Sequence, residues 1–153
     1  MAATAITAWR FIAAGFGSGW APKAPGTFGA LVGLAIGSLL LAVGHLALLT
    51  GIILAIALGI YAIRQLPEAK IDPGWIVIDE IAGQMIPLLA LRGFNLPGAL
   101  LAFVLFRLFD IWKPWPVSWA DRQKDEFGIM GDDIIAGLIA LAVLLILQRV
   151  LPL

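Results

Sequence analysis

Residues 28–63 form an apolar stretch that is interrupted only by His45, Thr50 and small residues. A single helical crossing of a bilayer takes about 20 residues, so this stretch is too long for one transmembrane helix. We therefore predict two helices that fold back on each other near Gly44 and His45, or slightly later at Thr50 and Gly51. A soluble protein of this size could not bury such a pair, which points to a chain that lies in a membrane.

The rest of the chain has the same apolar character. Hydrophobic residues make up 61% of the sequence and charged residues 13%, against about 45–50% and about 25% in ordinary soluble domains. The mean hydropathy is +1.00. No linker, low-complexity tract or internal repeat divides the chain, so a single domain over 1–153 is expected.

We predict an all-α fold, a multi-pass membrane bundle of about five membrane-associated helices plus an N-terminal interfacial helix over 5–16. Two of the five helices come from the apolar stretch described above. A third is predicted over 75–91 with a kink at Pro87, and a fourth from the region of Pro97 to about 111. The fifth is predicted from near 132 to about 150.

The basic residues indicate an orientation for this bundle. Cytoplasmic segments of membrane proteins carry an excess of Lys and Arg. If the N-terminus is cytoplasmic, only Arg92 and Arg149 lie outside, and the inner side receives Arg10, Lys23, Arg64, Lys70, Arg107, Lys113, Arg122 and Lys124. The same arrangement brings five carboxylates to the inner side: Asp79, Glu80, Asp110, Asp132 and Asp133.

These five carboxylates are the candidate functional groups. An acidic side chain at membrane depth costs roughly 2.5–3.5 kcal/mol, so it needs a partner, water or a metal ion. Mg²⁺ prefers oxygen ligands and usually takes one or two carboxylates together with water and phosphate oxygens. We therefore expect one or two Mg²⁺ ions, and the candidate ligands are Asp79, Glu80, Asp110, Asp132 and Asp133.

Cations on the same side suit a phosphate ligand. Lys23, Arg107, Lys113 and Arg122 are candidates for binding phosphate oxygens. The glycine-rich loop before the first long helix leads to Thr27, which we expect to cap that helix beside backbone N–H groups that attract an anion. A formal net charge of +0 argues against nucleic-acid binding.

Simpler structural roles remain open for several of these residues. Asp132 and Asp133 could stabilise the positive end of a helix, and Arg107 with Asp110 could form an intrahelical ion pair that permits insertion. Basic residues on the inner side commonly contact lipid headgroups. Asp121, Asp125 and Glu126 are interpreted mainly as solvated loop charge, and Asp121 is the best candidate among them to support the ligands of the site. Asp79 and Glu80 are the hardest to explain without an ion or a distant partner.

Three regions of the sequence resemble the signature regions of the bacterial phosphatidylglycerophosphatase A family. They are Gly17-Ser-Gly-Trp-Ala-Pro-Lys-Ala-Pro-Gly-Thr-Phe-Gly-Ala30, Ile78-Asp-Glu-Ile-Ala-Gly-Gln84, and Phe106-Arg-Leu-Phe-Asp-Ile-Trp-Lys-Pro-Trp-Pro116 with its continuation Gly128-Ile-Met-Gly-Asp-Asp-Ile-Ile-Ala-Gly137. The family often has Gly-Gly before the last stretch, whereas this chain has Lys124-Asp-Glu-Phe-Gly128.

The resemblance implies a Mg²⁺-dependent phosphatase of the bacterial inner membrane that converts phosphatidylglycerophosphate to phosphatidylglycerol. It implies a multi-pass protein with its active site on the cytoplasmic face, whose partners are the phospholipid substrate and the membrane. With it, Asp79, Glu80, Asp110 and Asp133 become the expected catalytic residues. The oligomeric state is left undetermined.

The residues exclude some phosphatase mechanisms without help from the family. The chain has no cysteine and one histidine, so a cysteine nucleophile and a histidine nucleophile assisted by a second histidine are both excluded. Metal-assisted attack by water remains, and an aspartyl-phosphate intermediate stays open. The alternative functions are a carboxylate-based ion or proton-coupled membrane carrier and an assembly factor for a membrane complex.

Overall fold

The structure, a computed structural model, describes residues 2–151, and this part of the chain contains helices and turns but no strand. The all-α prediction is therefore confirmed. The α-helices of the described chain are α1 (Ala2–Ala13), α2 (Pro25–Val43), α3 (His45–Arg64), α4 (Ile78–Met85), α5 (Leu96–Trp112), α6 (Val117–Asp121) and α7 (Glu126–Leu147). Short 3-10 segments cover Ser18–Trp20, Pro67–Ile71 and Ile86–Ala90.

The apolar stretch folds back at Gly44, between α2 and α3. Gly44 has a φ of 149°, which L side chains rarely adopt, so a glycine suits this turn. The first of the two predicted turn positions is confirmed. The second is wrong, because Thr50 and Gly51 lie inside α3.

Three helices of the described chain, α2, α3 and α7, are long and apolar enough to cross a membrane. Their outward faces are apolar as well: Leu39 is 72% exposed, Val43 80% and Leu46 79%. Apolar side chains of this kind suit contact with lipid. The backbone polar groups need no water there, because they are hydrogen-bonded within the helix itself.

The predicted count of about five membrane-associated helices plus an interfacial helix is not confirmed. α4 has 8 residues and α5 has 17, which correspond to about 12 Å and about 25 Å of rise, less than the hydrocarbon thickness of about 30 Å. The helix predicted over 75–91 begins at Ile78 and changes to a 3-10 segment at Ile86. Pro87 lies in that segment, where it lacks the N–H that an α-helix would use.

α7 begins earlier than the prediction near 132 and ends at Leu147 rather than near 150. Asp125 caps the helix, because its Oδ1 accepts a hydrogen bond from the Gly128 backbone N–H at 2.7 Å. Asp132 and Asp133 therefore lie in the second turn of α7. They are not residues that start the helix.

α4 is the buried centre of the bundle and packs between α2 and α7. A Cβ atom at Gly33 of α2 would lie 2.6 Å from the carbonyl oxygen of Ile81. A Cβ atom at Gly137 of α7 would lie 2.4 Å from the carbonyl oxygen of Gly83. Glycine at these positions allows the helix backbones to approach closely, as in other membrane bundles.

The two ends of this core differ in chemistry. At one end, the His45 Nε2 lies 2.8 Å from the Leu91 carbonyl oxygen, and the Gln148 amide donates to the Ala90 carbonyl oxygen at 2.9 Å. The other end holds the first turn of α4, to which α1 is joined by a hydrogen bond from the Val77 N–H to the Ala13 carbonyl oxygen. The candidate site lies at this second end.

Candidate active site

Three carboxylates meet where the first turn of α4 faces the second turn of α7. Asp79 and Glu80 come from α4 and Asp133 from α7, and one oxygen of each lies within 4.8 Å of the others. Gly83 lets this approach happen, because a Cβ atom there would lie 2.7 Å from the carbonyl oxygen of Asp133. We refer to Asp79, Glu80 and Asp133 as the acidic trio.

The trio has oxygen atoms to spare for a ligand. Asp79 Oδ1 accepts a hydrogen bond from the Glu80 backbone N–H at 3.0 Å. Glu80 Oε2 and Asp133 Oδ1 are buried and have no hydrogen-bond partner in the described chain. Buried carboxylate oxygens without donors are unfavourable, and a hard divalent cation is the partner that such a group prefers. The residues therefore fit a metal site.

Arg107 and Asp110 form an ion pair one turn apart on α5. This is the intrahelical pair that the sequence analysis gave as the alternative to a role in the site. Arg107 also lies beside the trio: a Cβ atom at Gly26 would be 2.3 Å from Glu80 Oε1 and 3.5 Å from Arg107 Nη1. Arg107 Nε is buried and has no partner in the described chain. The structure thus places a guanidinium next to Glu80 and leaves Asp110 outside the trio.

Asp132 faces a different neighbour from Asp133. Its Oδ2 accepts a hydrogen bond from Lys113 Nζ at 2.8 Å. Lys113 follows α5 in a left-handed conformation (φ 49°) and also bonds the Asp121 carboxylate. We refer to Lys113, Asp121 and Asp132 as the lysine bridge.

The lysine bridge fixes the charges of Lys113 and Asp121. Burial alone would lower the pKa of Lys113, but the hydrogen bonds to Asp121 and Asp132 outweigh it and raise that pKa above its ordinary value. Burial alone would raise the pKa of Asp121, and its bond to Lys113 lowers that pKa instead. Lys113 thus stays cationic and Asp121 anionic. Sequence reasoning singled out Asp121 among the loop acids as a candidate to support the site, but it did not identify Lys113 as its partner, because nothing in the Pro-rich stretch after α5 indicates that the chain returns to Lys113.

The remaining predicted phosphate-binding residues, Lys23, Arg122 and Thr27, make fewer side-chain contacts. Lys23 and Arg122 are exposed, and within residues 2–151 neither side chain has a hydrogen bond or an ion pair. Thr27 does not cap α2: the capping position is Ala24, with no side-chain bond, and the Thr27 N–H donates to the Ala24 carbonyl oxygen at 2.9 Å. The capping prediction is wrong because Pro25 already starts the helix.

Comparison with known proteins agrees with the sequence resemblance. The family model of phosphatidylglycerophosphatase A matches residues 11–148. The chain is 37% identical over 148 residues to the Escherichia coli protein named phosphatidylglycerophosphatase A, covering 95% of this chain and 86% of that protein. It is 39% identical over 143 residues to the Haemophilus influenzae protein of the same name, covering 91% and 88%.

A third relative carries a different name. A Bacteroides thetaiotaomicron protein, provisionally named phosphatidylinositol-3-phosphatase, is 40% identical over 134 residues, covering 82% of this chain and 84% of that protein. No solved structure gives a significant match. On the family match and the two relatives that share its name, the chain belongs to the phosphatidylglycerophosphatase A family.

Proposed function

We propose that this protein is a lipid phosphatase that hydrolyses phosphatidylglycerophosphate to phosphatidylglycerol and phosphate. The observation that carries the proposal is the acidic trio, two buried carboxylates and one partly buried carboxylate gathered next to Arg107 in a chain of this family. Water supplies the oxygen that bonds to phosphorus, the ester bond to glycerol breaks, and the glycerol oxygen takes a proton.

Mg²⁺ is the cofactor that we propose for this reaction, and Asp79, Glu80 and Asp133 are its proposed ligands. All three offer carboxylate oxygens, the ligand type that Mg²⁺ prefers. When bound, the ion supplies Lewis-acid polarisation of the phosphoryl group and makes a bound water more acidic. The trio holds the charge of the ion beside the phosphate and leaves room for water and substrate oxygens among its ligands.

Arg107 is the proposed phosphate-binding cation. It lies beside Glu80, and its free Nε can donate to a phosphate oxygen while Nη1 stays bonded to Asp110. Asp110 then acts by orienting the guanidinium plane. The lysine bridge is proposed to fix α5 and α6 against α7, and the exposed Lys23 and Arg122 to attract the lipid headgroup.

We place the protein in the bacterial inner membrane, with several spans and with the trio on the cytoplasmic side. The support is the distribution of charge: Lys23, Arg107, Lys113 and Arg122 all come from segments at the end of the bundle that holds the trio. In the proposed orientation the trio lies near the headgroups, so a phospholipid phosphate would reach it without leaving the bilayer.

A second substrate has specific support. The relative provisionally named phosphatidylinositol-3-phosphatase matches 82% of this chain, and a carboxylate trio would serve any lipid phosphate monoester. A carrier function is not favoured, because a relay through the membrane needs ionisable groups at several depths, whereas the trio lies at one end of α4.

The test uses the full chain in detergent micelles and follows phosphate release from phosphatidylglycerophosphate and from phosphatidylinositol 3-phosphate. We expect the first lipid to be the better substrate, EDTA to abolish turnover, and added Mg²⁺ to restore it. A faster rate on the inositol lipid would favour the second substrate. Turnover that survives EDTA would contradict a metal-dependent mechanism.

Single substitutions test the assignment of the trio. Asp79→Asn, Glu80→Gln and Asp133→Asn each remove a negative charge with little change of shape, and each should lower turnover by about 100-fold or more at saturating Mg²⁺. Asp72→Asn is the matched control, since Asp72 lies outside the trio and only approaches Lys124 at 3.7 Å. Near-normal turnover in two of the three variants would contradict the assignment of the trio as the metal ligands.

A further inference from the structure

Gln84 is completely buried (0% exposed), and neither atom of its amide has a hydrogen-bond partner in the described chain. The other buried side-chain atoms without partners there belong to Glu80, Arg107 and Asp133. All of these residues except Gln84 already belong to the proposed active site. The proposed mechanism so far gives Gln84 no role.

The helix geometry puts Gln84 directly below Glu80. The two residues are four apart on α4, so their Cβ atoms are neighbours at about 5–6 Å. Both also face α2: a Cβ atom at Gly26 would lie 2.3 Å from Glu80 Oε1, and one at Gly33, two turns further along α2, would lie 3.1 Å from the Gln84 Cβ. Glu80 and Gln84 therefore line one seam between α2 and α4.

Packing alone does not explain an amide in this seam. The α4 residues Ile81 and Met85, which neighbour Gln84, are apolar and buried, and an apolar residue of similar volume would fill the same place. A buried amide without a partner is unfavourable, and in proteins such groups are normally satisfied by a protein group or by a buried water. An amide can donate two hydrogen bonds and accept two.

We propose that Gln84 is a positioning residue for the acidic trio, and that its amide N–H donates through one buried water to Glu80 Oε2. The water gives the buried Glu80 Oε2 a donor and holds the carboxylate in one orientation, while that oxygen can still accept a second partner. Groups that orient metal ligands in this way commonly affect metal affinity or activity by about 10–100-fold when they are removed. The proposal rests on the proposed metal site and adds a residue to it.

The test compares Gln84→Met with Met85→Leu in the full chain in detergent. The first variant replaces the amide with an apolar side chain of similar volume, and the second changes the adjacent buried residue without touching a polar group. Mn²⁺ binding to metal-free protein is followed by electron paramagnetic resonance, and the Mg²⁺ dependence of phosphate release is measured in parallel. Thermal midpoints are recorded without metal.

We expect Gln84→Met to weaken Mn²⁺ binding by about tenfold or more and to raise the Mg²⁺ concentration needed for half-maximal turnover by a similar factor. Met85→Leu should leave both values within about twofold of the native protein. The metal-free midpoint of Gln84→Met should stay close to the native value, so that weaker binding is not a result of unfolding. Native-like Mn²⁺ affinity in Gln84→Met would overturn the proposal.

Gln84→Asn keeps the inference testable if Gln84→Met does not fold. It retains the amide but withdraws it by one methylene from Glu80, so its metal affinity should fall between those of the native protein and a variant without the amide. Native affinity in Gln84→Asn would overturn the proposal. If the native protein binds Mn²⁺ but releases no phosphate, the phosphatase function fails while the role of Gln84 is still measured. If it binds no Mn²⁺, both fail.

Discussion

Gly83 is a position where one added methyl group should disturb the site. A Cβ atom there would lie 2.7 Å from the Asp133 carbonyl oxygen and 2.7 Å from Phe106 Cε2. The backbone oxygen cannot swing away as the end of a flexible side chain can. Gly131 on α7 is the matched control, because a Cβ atom there would meet Ala120 Cβ at 3.7 Å, an ordinary contact.

The contacts around Gly83 and Gly131 give the expected changes in the free energy of unfolding. Gly83→Ala must separate α4 and α7 by roughly 0.7 Å to reach normal contact distances, and such overpacking costs about 1–3 kcal/mol. Both Gly83→Ala and Gly131→Ala gain about 1 kcal/mol of helix propensity. The gain cancels between the two variants, so Gly131→Ala should be more stable than Gly83→Ala by the clash alone, about 1–3 kcal/mol.

Thermal unfolding in detergent measures this difference. For a chain of this size, 1 kcal/mol corresponds to about 2–4 °C, so the two midpoints should differ by roughly 2–12 °C. Activity should respond more strongly, because separating the helices moves Asp133 away from Asp79 and Glu80, and misplacement by about 1 Å can cost about 100-fold in rate. If Gly83→Ala were as stable and as active as Gly131→Ala, the close crossing of α4 and α7 would not be what assembles the site.

The two adjacent acids of α7 should respond differently to neutralisation: Asp133→Asn should lower phosphate release about 100-fold, and Asp132→Asn less than about tenfold because Lys113 already balances its charge. Turnover assays on both variants check this, and equal losses would contradict the separation. Lys113→Met leaves the buried Asp132 without its hydrogen-bond partner and should lower the free energy of unfolding by about 1–2 kcal/mol. An unchanged thermal midpoint would refute this prediction. Single cysteines at the exposed Arg92 and Arg122 should react with an impermeant maleimide from opposite faces of sealed vesicles, whereas labelling from one face would break the proposed topology.

The hairpin of α2 and α3 could be predicted from sequence because its determinants are local. The apolar stretch exceeds one crossing, and Gly44 offers a turn within it. The start of α7 also depends on a local signal, the cap at Asp125. The prediction placed the start near 132 because the acids at 132 and 133 are typical of the first turn of a helix as well. The early end of α4 at Met85 has no such signal beyond Pro87, since it depends on how α4 fits among its neighbours.

The separation of Asp132 from Asp133 lies beyond what sequence reasoning can reach. Consecutive residues on an α-helix point about 100° apart, so only one of the two can face α4. Which one does so depends on the rotation of α7 about its axis, and that rotation is set by Gly137 against Gly83 across the helix crossing. The sequence therefore identifies the acids, whereas the packing of the helices decides that Asp133 rather than Asp132 joins the acidic trio.

The distribution of cations explains why the trio is the group left for a metal. Arg107 pairs with Asp110, and Lys113 pairs with both Asp121 and Asp132. Within residues 2–151, no ion pair involves Asp79, Glu80 or Asp133. Three neighbouring carboxylates, two buried and one partly buried, repel one another and lose hydration, so without a cation they oppose folding. A bound divalent ion removes this repulsion and stabilises the folded chain by an amount that grows with the logarithm of the free ion concentration once this exceeds the dissociation constant, so the protein should gain thermal stability from the ion that we propose for its chemistry.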